Sequence, residues 1–150
     1  MSKPSMIDIT SKTPCYRVAE AYGRIRLRRK TIELIRSGKV EKGDPLITAS
    51  IAGILAAKRT PEIIPLCHPI PLTKVDVVCW VDDDEHVACK SMVKTIAQTG
   101  VEMEALVAVS TALLTVWDMV KAYEKDEQGQ YPTTVISDIK VVSKIKKSLE

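Results

Sequence analysis

The longest nearly uninterrupted apolar run in this sequence is too short to cross a membrane. The longest run, "ALVAVSTALLTVW", covers about 13 residues, short of the roughly 20 that a spanning helix needs. The amino-terminal "MSKPSMIDIT" lacks the apolar core of a secretory signal, so a soluble, cytoplasmic protein is expected. Cysteine is scarce and unpaired in spacing: Cys15, Cys67, Cys79 and Cys89 contain no zinc-ribbon doublet and read as reduced thiols. Strong charge of one sign is also missing. A net charge of +3 argues against an extended nucleic-acid surface, although "RIRLRRK" and "SKIKKS" suit a small polyanion. Asparagine is absent while Lys, Glu and Arg abound, a balance that leans toward a thermophilic source. There is no internal repeat, no low-complexity segment and no linker.

What is present fits one globular domain over residues 1–150, with 45% hydrophobic and 27% charged residues. From Arg17 to about Ser37, apolar residues recur at Ala21, Ile25, Leu27, Ile32 and Ile35 and stop at Gly38, which predicts a helix with a wet basic face. Asp44 and Pro45 then supply an N-cap and a first-turn proline for a second helix to about Lys58. Its small residues Ala49, Ala52, Gly53, Ala56 and Ala57 let neighbours approach closely. "TPEII" starts a further short turn.

The period then changes to two. In "KVDVVCWVDDDEHVACKSMVK", Val75, Val77, Cys79 and Val81 alternate with outward residues, and a second run follows the acidic turn, so a hairpin is expected. A turn centred on Asp84 puts Cys79 opposite Cys89 on the face that carries Val77, Val81, Val87 and Val93. Two buried thiols are the favoured reading there over a disulfide.

"TGVEMEALVAVSTALLTVWDMVKAYEK" reads as the longest helix, with Thr99 and Glu102 as a capping box. A helix apolar on nearly every side must be buried against a sheet, other helices or another subunit. "TTVISDIKVVSKI" is a β-branched terminal strand followed by basic residues, and "MIDIT" is a candidate first strand. The expected class is α+β: a ferredoxin-like sandwich with helices on one face of a mainly antiparallel sheet.

Two places could carry chemistry. In "IIPLCHPIPL", Cys67 and His68 stand between Pro65, Pro69 and Pro71, which stiffen the loop and remove amide donors. Adjacent residues of an extended chain point to opposite sides, and no further ligands are spaced nearby. A metal site or a thiol–base pair is therefore disfavoured, and a binding wall is preferred. On the long helix, Asp118 and Lys121 are three residues apart and share a face. Spacing alone favours an ordinary surface ion pair, and Glu102 and Glu104 read equally plainly as first-turn acids. Glu104 and Asp118, 14 residues apart, lie on one side of the helix but about 21 Å apart along it. Both can serve one small substrate only from different copies of the chain.

The segments "KGDPLITASIAGILAAKRTPEIIPLCHPIPLTKVDV", "TGVEMEALVAVSTALLTVWDMVKA" and "ISDIKVVSK" together resemble the cyclic pyranopterin monophosphate synthases, the C proteins of molybdenum cofactor biosynthesis. The likeness runs from about residue 5 to residue 144. It implies an enzyme that rearranges a 3′,8-cyclised dihydro-GTP to cyclic pyranopterin monophosphate and releases pyrophosphate. Ring opening, reclosure and cyclic-phosphate formation all move protons and need no electron carrier. By resemblance Asp118 and Lys121 are the catalytic pair, which reverses the preference drawn from spacing. Leu66, Cys67, His68, Met103 and Glu104 match substrate-binding segments, with Glu102 beside them. Arg17 and Lys42 match cations that hold the triphosphate, with the helix N-terminus beside Asp44 assisting.

The resemblance implies a ferredoxin-like fold, a homohexamer built as a trimer of dimers, and active sites at subunit interfaces. The substrate is a nucleotide-derived small molecule, and neither nucleic acid nor membrane is a partner. No resident cofactor or metal set is implied, and whether a divalent ion accompanies the triphosphate is left open. One departure stands out. The family commonly finishes its last strand with a Lys-Ser-Gly-Gly-Lys-Ser-Gly run, whereas this chain reads "SKIKKSLE". Lys144 matches the first lysine of that run, while Ile145 and Lys146 replace its glycines, so charge is kept and backbone freedom is lost.

Overall fold

The computed structural model describes residues 1–150. Four strands and four helices follow in the order β1 (Cys15–Arg26), α1 (Arg29–Arg36), α2 (Pro45–Lys58), α3 (Thr60–Ile63), β2 (Lys74–Asp83), β3 (His86–Ala97), α4 (Glu102–Glu124) and β4 (Val135–Lys147). Every strand pairing is antiparallel, and the sheet order is β2-β3-β1-β4. This is the ferredoxin-like α+β arrangement, with α2 and α4 packed on one face of the sheet.

The expected helix from Arg17 is instead the central strand β1 followed by the shorter α1. In β1, Arg17, Ala19, Ala21 and Ile25 point into the core, while Glu20, Tyr22 and Arg24 lie on the more open face. Ala21 and Ile25 are four apart and satisfy both a helical and a strand period. Pairing with β3 on one side and β4 on the other settles the ambiguity, because long-range ladders override a weak local preference. "MIDIT" forms no strand and leads into β1 as irregular chain.

The hairpin register is as the alternation implies, with Cys79 opposite Cys89. The oxidation state differs from expectation, since the two cysteines form a disulfide. A cross-link spanning 10 residues restricts the unfolded chain by about 2–3 kcal/mol. The α4 cap also differs: the N-cap residue is Val101, Thr99 makes no cap bond, and Glu102 opens the first turn.

Helix α2 starts as expected at Asp44, whose Oδ1 accepts the Leu46 and Ile47 amides at 2.8 and 3.2 Å. Its small residues do bring neighbours close. A Cβ on Gly53 would sit 2.9 Å from the Ala108 carbonyl oxygen of α4 and 3.0 Å from Val77 of β2. The core joins Ala49 and Ala57 of α2 and Val109, Leu113 and Val116 of α4 with Ile25, Val87 and Val93 of the sheet. Helix α4 is long and apolar enough by composition to cross a membrane, but half of its apolar window is buried within this fold. Strand β4 runs through Lys144 to Lys147, so the basic tail is strand rather than free chain.

Candidate functional site

The site residues expected from sequence fall into two groups at the two ends of α4. The N-terminal group forms where the proline loop meets the start of the helix. Three contacts pin that loop: the Cys67 amide donates to the Ile64 carbonyl, the Thr73 amide to the Lys94 carbonyl, and the Thr95 hydroxyl to the Pro71 carbonyl. A cavity of about 330 Å³ opens there, lined by Ile64, Leu66, Cys67, His68, Thr99, Gly100, Glu102, Met103 and Glu104.

Two carboxylates of this cavity, two residues apart in sequence, have opposite environments. Burial draws Glu102 upward, but hydrogen bonding to Lys144 and the nearby Lys144 and Arg17 charges outweigh it and hold Glu102 below the usual range. The Lys144 Nζ lies 2.6 Å from its Oε1. Gly100 makes room for this carboxylate, because a Cβ there would run into Glu102 Oε2. Glu104 has no ammonium partner and is 2% exposed, so burial dominates and raises it. Its Oε2 accepts from the Cys67 thiol at 3.7 Å, and its Oε1 is buried without a hydrogen-bond partner. Burial first, and the Glu104 carboxyl second, push the Cys67 thiol up to about 11. A thiol held that high is a poor nucleophile at neutral pH.

His68 Nε2 donates to the backbone carbonyl of Ile7 at 2.6 Å, so the segment before β1 lies against the wall. Arg17 is buried. Its Nε donates to the Ala97 carbonyl at 3.1 Å and its NH2 to the Gln98 carbonyl at 3.4 Å, which braces the chain leading to Gly100.

The C-terminal group is open to solvent. Asp118 lies 3.1 Å from the Lys121 Nζ and 3.3 Å from the Lys42 Nζ. Lys121 first and Lys42 second hold its carboxyl below the ordinary aspartate range. Glu41, Lys42, Asp118, Met119, Lys121, Ala122 and Tyr123 surround a cavity of about 390 Å³.

Sequence reasoning grouped Lys42 with Arg17, whereas Lys42 stands with Asp118 at one end of α4 and Arg17 with Glu102 at the other. The α2 N-terminus is not a free anion site either, since Asp44 occupies its first amides. The sequence reading also missed the Ile7 carbonyl, Thr99, Gly100 and Tyr123. Glycine directly before "VEME" was the one available signal for the tight turn.

The chain is thus a ferredoxin-like sandwich with one acid–lysine cluster at each end of its long helix, and no group of three or more His, Cys, Asp or Glu side chains is placed to hold a metal ion. Residues 6–147 match the model of the MoaC family. A protein of Pyrococcus abyssi named as a probable cyclic pyranopterin monophosphate synthase is 60% identical, over 94% of this chain and 88% of its own length. A Sulfurisphaera tokodaii protein of the same name is 56% identical over 97% and 96% of the two chains. One from Methanothermobacter thermautotrophicus, named as a probable accessory protein of that synthase, is 56% identical over 96% and 90%. The chain belongs to the MoaC family.

Proposed function

We propose that this protein is a cyclic pyranopterin monophosphate synthase of molybdenum cofactor biosynthesis: a soluble, cytoplasmic single-domain lyase. It converts 3′,8-cyclised dihydro-GTP to cyclic pyranopterin monophosphate and pyrophosphate. The observation that carries the reading is Asp118 held between Lys121 and Lys42 at the end of a helix whose other end bears the Glu104–Cys67–His68 cavity. Asp118, kept ionised by two ammonium groups, orients a lysine and accepts protons, while Lys121 delivers and removes protons as the rings open and reclose.

In the phosphate step a substrate oxygen bonds to the α-phosphorus and the bond from that phosphorus to the bridging oxygen breaks. The leaving pyrophosphate carries the developing charge, which Lys42 and Lys144 stabilise while Arg17 adds positive field beside Glu102. Leu66, Cys67, His68, Met103 and Glu104 hold the ring system. The free Glu104 Oε1 suits an N–H of the substrate, since a buried polar atom otherwise costs about 1–3 kcal/mol. No resident metal or organic cofactor enters this scheme, and neither nucleic acid nor membrane is a partner. A divalent ion riding on the triphosphate is compatible with it.

The two halves lie about 21 Å apart on one helix, so each complete site takes its Asp118 end from one chain and its Glu104 end from another. Ile47, Ile51 and Leu55, spaced by one turn on α2, and Leu114 on α4 are all more than half exposed, which supports assembly through these helices. The homohexamer, a trimer of dimers, is the assembly proposed. Replacing Asp118 by Asn tests the chemistry: turnover of the cyclised nucleotide should fall by about 10²–10⁴-fold. Turnover at the parent rate would overturn the assignment.

A further inference from the structure

We propose that Tyr123 is a positioning residue for the Asp118 site: its hydroxyl fixes the α1–α2 loop that carries Lys42, and so sets the approach of the Lys42 ammonium to the Asp118 carboxylate. The inference rests on the reading of Asp118 as the acid of the catalytic pair. Residues 38–43 connect α1 to α2, and the buried Val40 is their only apolar anchor. Within this loop one backbone group is held by a side chain from elsewhere: the Glu41 amide donates to the Tyr123 Oη at 2.8 Å. Lys42 is the next residue, and its Nζ reaches both the carbonyl oxygen and the Oδ2 of Asp118, at 3.2 and 3.3 Å.

Tyr123 can hold a loop because its ring packs partly buried against the core while its hydroxyl reaches the Glu41 amide. The tether therefore runs from α4 back to α4: Asp118 and Tyr123 stand on one rigid helix, and the loop is clamped to that helix one residue before the cation it must place. Without the hydroxyl the Glu41 amide turns to water and Lys42 keeps only its long, flexible stem. The charged groups facing Asp118 are Lys121 from its own helix and Lys42 from the loop, with Glu41 lining the same cavity.

The test compares the parent with Tyr123→Phe, Lys42→Met and the double variant, using two independent readouts. One is the titration of the Asp118 carboxyl followed by carbon NMR in carboxyl-labelled protein, with Asp118→Asn identifying the resonance. The other is the pH profile of kcat/KM for the cyclised nucleotide. Removing Lys42 should move the Asp118 midpoint and the acid limb to higher pH. Tyr123→Phe should move both in the same direction by less and lower kcat/KM on the acid side about fivefold, the worth of one ordinary hydrogen bond. The double variant should go no further than Lys42→Met alone.

A Tyr123→Phe protein whose Asp118 midpoint matches the parent, while Lys42→Met shifts it, would overturn the proposal. Carboxyl midpoints that move while the acid limb stays fixed would leave Tyr123 as the clamp and overturn the catalytic reading of Asp118.

Discussion

The two ends of α4 each present a carboxylate, Glu104 at one and Asp118 at the other, and treat it in opposite ways. At the N-terminal end Glu104 is buried beside the Cys67 thiol, has no cation, and is driven toward its neutral form. At the C-terminal end Asp118 stands in solvent between two ammonium groups and is driven toward its charged form. Environments that push two acids apart give them different tasks: the neutral one suits recognition by hydrogen bonding, the charged one proton transfer. Glu102 sharpens the contrast, because it lies two residues from Glu104 and behaves like Asp118 once Lys144 reaches it.

The comparison predicts unequal responses to neutralisation. The largest belongs to Asp118→Asn, which removes the charge the site is built around and should cost two to four decades of turnover by about the estimate for a lost acid–base group. The next is a stability effect at the other end. Glu104 has a folded-state pKa raised above its unfolded value, so its contribution is fully present below the unfolded pKa and is lost as pH rises through the folded pKa. Glu104→Gln should therefore flatten the decline in thermal stability between mildly acidic and neutral pH and be the more stable protein at neutral pH. A melting-temperature series against pH checks this, and parallel curves would contradict the burial argument.

The smallest effect is expected at Cys67. With the thiol pushed up to about 11, almost none is thiolate at neutral pH. Cys67→Ala should lower kcat/KM by less than about tenfold, as one weak contact is lost. A loss as large as that of Asp118→Asn would make the thiol the reactive group.

Much of this contrast was legible in the sequence. The 3.6-residue period alone put Glu104 and Asp118 on one side of a helix and far apart along it. Strict alternation around "DDDE" gave the hairpin and the facing of Cys79 with Cys89. What alternation does not encode is whether two facing thiols are oxidised. Strand β1 was misread because its alanines and arginines are good helix formers and its apolar positions fit both periods. Its identity comes from β3 and β4, which follow far along the chain.

The split of Arg17 from Lys42 was out of reach for a related reason, since both precede α2 in sequence and only the fold sends them to opposite ends of α4. The contact of Tyr123 with Glu41 spans 82 residues and leaves no local pattern. The helix cap at Val101 was missed because "TGVE" carries the letters of a capping box while the Gly100 turn and the Lys144 pairing draw Glu102 elsewhere.

The central claim is that each active site joins the Glu104 end of one chain to the Asp118 end of another. It is tested most directly by mixing Asp118→Asn with Met103→Trp, which fills the cavity at the Glu104 end, each first shown to be inactive alone, under conditions that exchange subunits, and measuring turnover of the cyclised nucleotide. At equal mixing half of the sites join unlike chains, and half of those combine the two intact ends while the rest combine the two altered ones, so about a quarter of the parent activity should return. If no activity returns although mass spectrometry shows mixed oligomers, the two halves do not meet across an interface and the account fails.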